Sequence, residues 1–139
     1  MNGYIDVISV AANIISMAQA NIGPLKKGRQ DLKIEHIFTT KTDKQNEWIV
    51  IVAIANHGNR EAQNCKCYIE ASEEKPIYLQ YPIVETEKGS IYSKDSWTLA
   101  GGGVREVRGY VTYRKKKLNV ILEVNGTKVD EVPIPLERY

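Results

Sequence analysis

Apolar residues in the first part of the chain repeat at helical spacing, and those in the remainder alternate as strands do. Over residues 4–22, Asp6, Ser9, Asn13 and Ser16 recur three and four positions apart and mark one polar stripe. Ile5, Ile8, Ala12 and Ile15 repeat in the same rhythm, and Val7, Val10, Ile14 and Met17 form a second apolar row. This predicts an N-terminal helix within residues 1–22, with Asn2 as its candidate cap and Gly23-Pro24 as its stop. The apolar arc is too wide for a helix alone in water. Three resting places stay open: the chain's own β-domain, a copy or partner helix, or a membrane.

Residues 23–31, GPLKKGRQD, read as a basic hinge, with Lys26, Lys27 and Arg29 directly after the apolar segment. They are either a solvated linker or, beside a membrane, a cationic flank that keeps the rest of the chain on the cytoplasmic side. From residue 32 the signals are strands and turns. LKIEHIFTT (32–40) alternates imperfectly, setting Leu32, Ile34 and His36 against Lys33, Glu35 and Ile37. EWIVIVAIA (47–55) is apolar on both faces, as expected for a central strand. Asn56-His57-Gly58-Asn59 is turn chemistry.

CKCYIEA (65–71) places Cys65, Cys67, Ile69 and Ala71 inward and Lys66, Tyr68 and Glu70 outward. IYLQYPIVE (77–85) is a further strand that Pro82 confines to an edge, and residues 86–96 read as loop. Gly101-Gly102-Gly103 then turns the chain into VREVRGYVTY (104–113). Asn125-Gly126 predicts a two-residue hairpin that pairs Val124 with Thr127, Glu123 with Lys128 and Leu122 with Val129. The expected fold is all-β: a seven-stranded immunoglobulin-like antiparallel sandwich over 32–139, preceded by one α-helix.

Residues 31–135 resemble the CARDB class of small immunoglobulin-like domains found in bacterial and archaeal proteins. The likeness rests on Asp31-Leu32 opening the first strand, Asn56-His57-Gly58 after the central one, Leu99-Ala100-Gly101 before the fifth, and Val129-Asp130-Glu131 in the last hairpin. The chain departs from that class in lacking the Asn-rich tail that often closes such domains. The resemblance implies an adhesion or surface-assembly module and supplies no catalytic residue. An apolar segment, a basic hinge and a small β-domain are also similar to the layout of short membrane-tethered prokaryotic proteins.

Composition narrows the classes further. The 139 residues suffice for one domain and an appendage, and 42% hydrophobic with 26% charged residues is ordinary for a folded chain. A net charge of +2 gives no nucleic-acid signal by itself. Cys65 and Cys67 are the only cysteines; two apart on a strand they are poorly placed to bridge each other, which favours a reducing compartment. Met1–Tyr4 lacks the basic start of a secretory leader.

Chemistry has little to stand on. His36 and His57 with the two cysteines give His-x20-His-x7-Cys-x-Cys, which matches no common zinc pattern. Gly101–Gly103 is not followed by the Gly-Lys-Ser/Thr of a phosphate loop, and no nucleophile elbow or paired-carboxylate motif occurs. No catalytic residue, metal or cofactor is expected. Arg114, Lys115, Lys116 and Lys117 form a run of four cations between two strands: a solvated turn, or an anion contact.

The expectation is a non-enzymatic structural or interaction protein, filament and virion subunits included. It would assemble with itself or a protein partner through its N-terminal helix, using Ile5, Ile8, Ile15 and Met17. A membrane-tethered, cytoplasm-facing recruitment module is the alternative, a nucleic-acid accessory comes third, and an enzyme last.

Overall fold

A computed structural model of the chain describes residues 7–71, 75–86, 88–112 and 117–134. Helix α1 (Val7–Ala20) precedes β1 (Leu32–Lys41), β2 (Glu47–Asn56), β3 (Ala62–Ala71), β4 (Ile77–Tyr78) and β5 (Pro82–Thr86). There follow β6 (Gly89–Tyr92), β7 (Trp97–Leu99), β8 (Val104–Thr112), β9 (Leu118–Val124) and β10 (Thr127–Pro133). One sheet has the order β1-β2-β8, and a second runs β10-β9-β3-β4, with β7 also paired to β3. β5 and β6 form a separate hairpin, and all strand pairs are antiparallel.

The two-faced apolar pattern of β2 has a direct structural cause. Its inner residues Val50, Val52 and Ile54 join Cys65, Cys67, Ile69, Val120 and Leu122 in the core between the two main sheets. Its outer residues Ile49, Ile51 and Ala53 lie under α1, buried with Ala11, Ile14 and Ala18. Helix, sheet and sheet therefore stack in three layers, and every residue from Trp48 to Asn56 is buried. Fully burying one side chain of this size stabilises the fold by about 1.5–3 kcal/mol.

Imperfect alternation in β1 comes from a bulge between Ile34 and His36. The extra residue shifts the side-chain phase, so Ile34 and Ile37 both pack on the core and His36 does not. The last hairpin turns at Asn125-Gly126, both in the left-handed region, and pairs Val124 with Thr127 and Glu123 with Lys128 as expected. The third pair differs: Leu122 faces Asp130, because a bulge between Lys128 and Asp130 drops Val129 out of register. That bulge has a use, since the Asp130 carboxylate accepts the Ile34 N–H at 2.9 Å and occupies a donor of strand β1.

Residues 86–96 are not simply loop. Gly89–Tyr92 pairs with Pro82–Thr86, and Trp97 is buried in a short strand against β3. The described residues thus hold ten strands where seven were expected; the additional ones are short and lack a long alternating signal. Between the sheets, segment 77–80 changes partner: Ile77 and Tyr78 pair with β3, while Gln80 bridges Arg108 of β8. Gly109 leaves room there, because a side-chain carbon on it would stand 2.6 Å from Leu79, a fully buried core residue.

Candidate functional site

The surface is built from α1, the outer side of β8 and the β5–β6 hairpin. Helix α1 docks through Val7, Ala11, Ile14 and Ala18, a row spaced four, three and four residues apart. Two alanines in that row let the helix axis come close to the sheet. Larger residues are carried on the flanks, where Ile8 is 54% and Met17 52% exposed, and Ile15 is half-buried. Ile8, Ile15 and Met17, expected as contacts with a copy, a partner or a membrane, lie outside this docking row, which includes Ala11 and Ala18 instead. Ile5, the remaining expected contact, lies outside the described residues.

β8 presents Glu106 and Arg108 on the helix-covered face, opposite Ala53 and Ile51 of β2. Both are buried, and their side chains pair at 3.3 Å. The Arg108 guanidinium lies 5.8 Å from the Tyr92 ring, which seats the hairpin beside this strand. Tyr110, one step along the same face, is exposed, and partial burial beside Tyr92 raises its phenol's pKa. On the hairpin, Ile83 and Ile91 are 60% and 63% exposed, and Val84, cross-strand partner of Ile91, is exposed as well. Neither the charged pair nor the hairpin was anticipated. The available signal was opposite charges two apart in a strand flanking a two-faced apolar one.

The opposite end is closed rather than open. Asn56 is fully buried; its Oδ1 accepts from the Asp31 and Gly58 amides, each at 3.0 Å, and its Nδ2 donates to the Arg60 carbonyl at 2.8 Å. Nδ2 also reaches the carbonyls of Leu99 and Ala100. Gly101 packs so closely on Asn59 that a side-chain carbon would stand 2.5 Å from its carbonyl oxygen. Three of the sequence features that carry the family resemblance therefore meet in one knot, and their work is structural. Around it His57 pairs with Glu35 and Lys26 with Asp31; the hydrogen bond from Lys26 holds the Asp31 carboxyl below the usual carboxylate range.

Of the other candidates, Cys65 and Cys67 are free, buried thiols. Burial pushes Cys65 up to about 11 and Cys67 higher still, so both stay protonated and unreactive near neutrality. Arg105 points into the sandwich edge, 4.1 Å over the Tyr81 ring, and donates to the Thr98 carbonyl at 3.0 Å. Lys117 is exposed, whereas Arg114, Lys115 and Lys116 lie outside the described residues. A shallow cleft lined by Ile34, Glu35, His36, Ile37, Val132 and Pro133 separates β1 from β10. No helix among the described residues is long and apolar enough to cross a membrane, and none of their His, Cys, Asp and Glu side chains gather as a metal centre would need.

No protein-family profile and no curated protein matches this chain. Among solved structures, a Pseudomonas fluorescens alkylpurine DNA glycosylase AlkC, bound to DNA containing an abasic site analog, aligns at 14% identity with a TM-score of 0.41. The alignment covers 88% of this chain and 35% of that one, so this chain spans about a third of its length. A likeness that distant carries no argument about fold or activity.

Proposed function

We propose that this protein is a non-enzymatic interaction module of immunoglobulin-like architecture that assembles with copies of itself or with a protein partner. The observation behind this reading is the β5–β6 hairpin, a two-stranded ribbon with Ile83, Val84 and Ile91 in water. Isolated ribbons are marginal in water, and grouped exposed apolar side chains mark contact surfaces. The exposed helix residues Ile8 and Met17 offer a second contact.

The immunoglobulin-like part of the reading draws support from strand order. With the hairpin and β7 set aside, β1-β2-β8 faces β10-β9-β3-β4, the arrangement expected of a Greek-key sandwich. A structural role is also favoured by how the polar residues are used: Asn56 clamps loops, Asp130 occupies an edge donor, and the thiols lie in the core.

The test is the solution mass of the full chain beside Ile83→Ser with Ile91→Ser, by light scattering without detergent across a concentration series. The reading expects a concentration-dependent oligomer, or capture of a protein partner, that the double variant loses. A wild-type monomer that captures no partner contradicts it. Recovery of the protein on vesicles instead, lost on Ile8→Ser with Met17→Ser, would transfer the assignment to a membrane-surface module.

A further inference from the structure

Residues 26–29 look like a linker by composition, yet they are built into the fold. The Lys26 N–H donates to the His57 carbonyl at 2.8 Å, and the Asn59 N–H donates back to the Lys26 carbonyl at 2.9 Å. The Asn59 side chain accepts the Gly28 N–H at 2.8 Å, and the Arg60 N–H donates to the Arg29 carbonyl at 3.1 Å. Gly58 makes this approach feasible, because a side-chain carbon there would overlap the Arg29 carbonyl. Arg60 is pinned from its other side by Asn56, which donates to its carbonyl.

Two arginines are thereby rooted one backbone hydrogen bond apart, with Lys27 two residues before Arg29. All three side chains are exposed. Of the carboxylates nearby, Asp31 is paired with Lys26 and Glu35 with His57; Glu61, beside Arg60 in sequence, accepts from the neutral Gln63 amide at 3.0 Å and keeps its charge. Among the described residues no carboxylate stands within ion-pair distance of Lys27, Arg29 or Arg60. A flexible hinge could spread these charges apart; a stitched one holds their backbones in place.

We propose that Lys27, Arg29 and Arg60 form a binding site for a phosphate group, a monoester dianion presented free in solution or at a lipid headgroup. Guanidinium forks match phosphate oxygens in pairs, and the ammonium adds a third positive charge. The footprint is that of one phosphate rather than a long polyanion, since the unpaired cations here are three and stand on two short segments joined by backbone hydrogen bonds. Fixed backbones leave only the three side chains to be ordered on binding. This inference is independent of the hairpin contact and could hold or fail without it.

The experiment titrates the full chain with inorganic phosphate at constant ionic strength, against chloride as reference, and follows the amides of Gly28, Asn59 and Arg60 by NMR. Saturable shifts are expected with phosphate alone, weakened about tenfold or more by Arg29→Gln with Arg60→Gln. Lys88→Gln with Lys94→Gln, exposed cations elsewhere, should leave the curve unchanged. Phosphatidylcholine vesicles doped with phosphatidic acid separate the two sources. Co-sedimentation lost in the arginine variant assigns a lipid headgroup, and phosphate binding without it assigns a free phosphate. Shifts equal to those with chloride, or a phosphate affinity untouched by the arginine variant, overturn the proposal. So does binding of duplex DNA without a saturable phosphate response.

Discussion

The outer face of β2 and the β5–β6 hairpin are both apolar, and the chain treats them oppositely. Ile49, Ile51 and Ala53 receive a helix and are buried, while Ile83, Val84 and Ile91 stay in water. The covered surface is matched by the α1 row Val7, Ala11, Ile14 and Ala18, so the chain satisfies it internally. The hairpin stands as a ribbon of its own, outside both main sheets. The difference separates what the fold needs from what it leaves available to others.

Four outcomes would sharpen or break this comparison. The largest is expected at Ile51, fully buried at the centre of the helix bed. Ile51→Ala should cost about 3–5 kcal/mol in urea unfolding, from lost burial plus a cavity. Ile14→Ala, on the helix side of the same contact, should cost about 2–4 kcal/mol. A loss below about 0.5 kcal/mol would mean that α1 does not rest on β2 in solution.

The third outcome concerns the core thiol Cys65. Its folded pKa of about 11 lies above the ordinary 9.0, so folding favours the protonated form. That contribution is complete below pH 9 and disappears as pH rises from 9 through 11. At pH 8 roughly one thiol in a thousand would be ionised in the folded chain, so a thiol reagent should react no faster than the chain opens. Rapid labelling of folded protein would show that the strand is more open than its burial indicates. The smallest effect belongs to the hairpin: Ile83→Ser with Ile91→Ser should alter unfolding stability by no more than about 0.5 kcal/mol, because neither side chain is buried. A larger loss would make the ribbon part of the core and abolish its contrast with the helix bed.

Much of the frame was legible in the sequence, for reasons that can be stated locally. β2 declared two covered faces, and the Asn125-Gly126 turn set the first pairs of its hairpin, because both signals depend on nearest neighbours. Where a distant partner intervened, local reading failed. The bulge before Asp130 answers to Ile34, 96 residues away, and nothing in the last hairpin reveals it. The docking row of α1 was legible in part: Val7 and Ile14 belong to an apolar row of the sequence, whereas Ala11 and Ala18 are too small to give a strong hydrophobic signal. The basic segment read as a hinge for a similar reason: its composition is that of a linker, and its hydrogen bonds go to residues 57–60. Asn56 was recognised as turn chemistry, but its five hydrogen bonds span loops that sequence cannot bring together.

The central claim is that the exposed hairpin is a contact surface. Its most direct test is light scattering of the full chain over a concentration series, beside Ile83→Ser with Ile91→Ser, both verified as folded. The account predicts that the wild-type mass rises with concentration, or jumps when a partner is added, and that the double variant remains a monomer. Equal masses for the two proteins at every concentration and after a partner is added, whether both monomeric or both assembled, would contradict it.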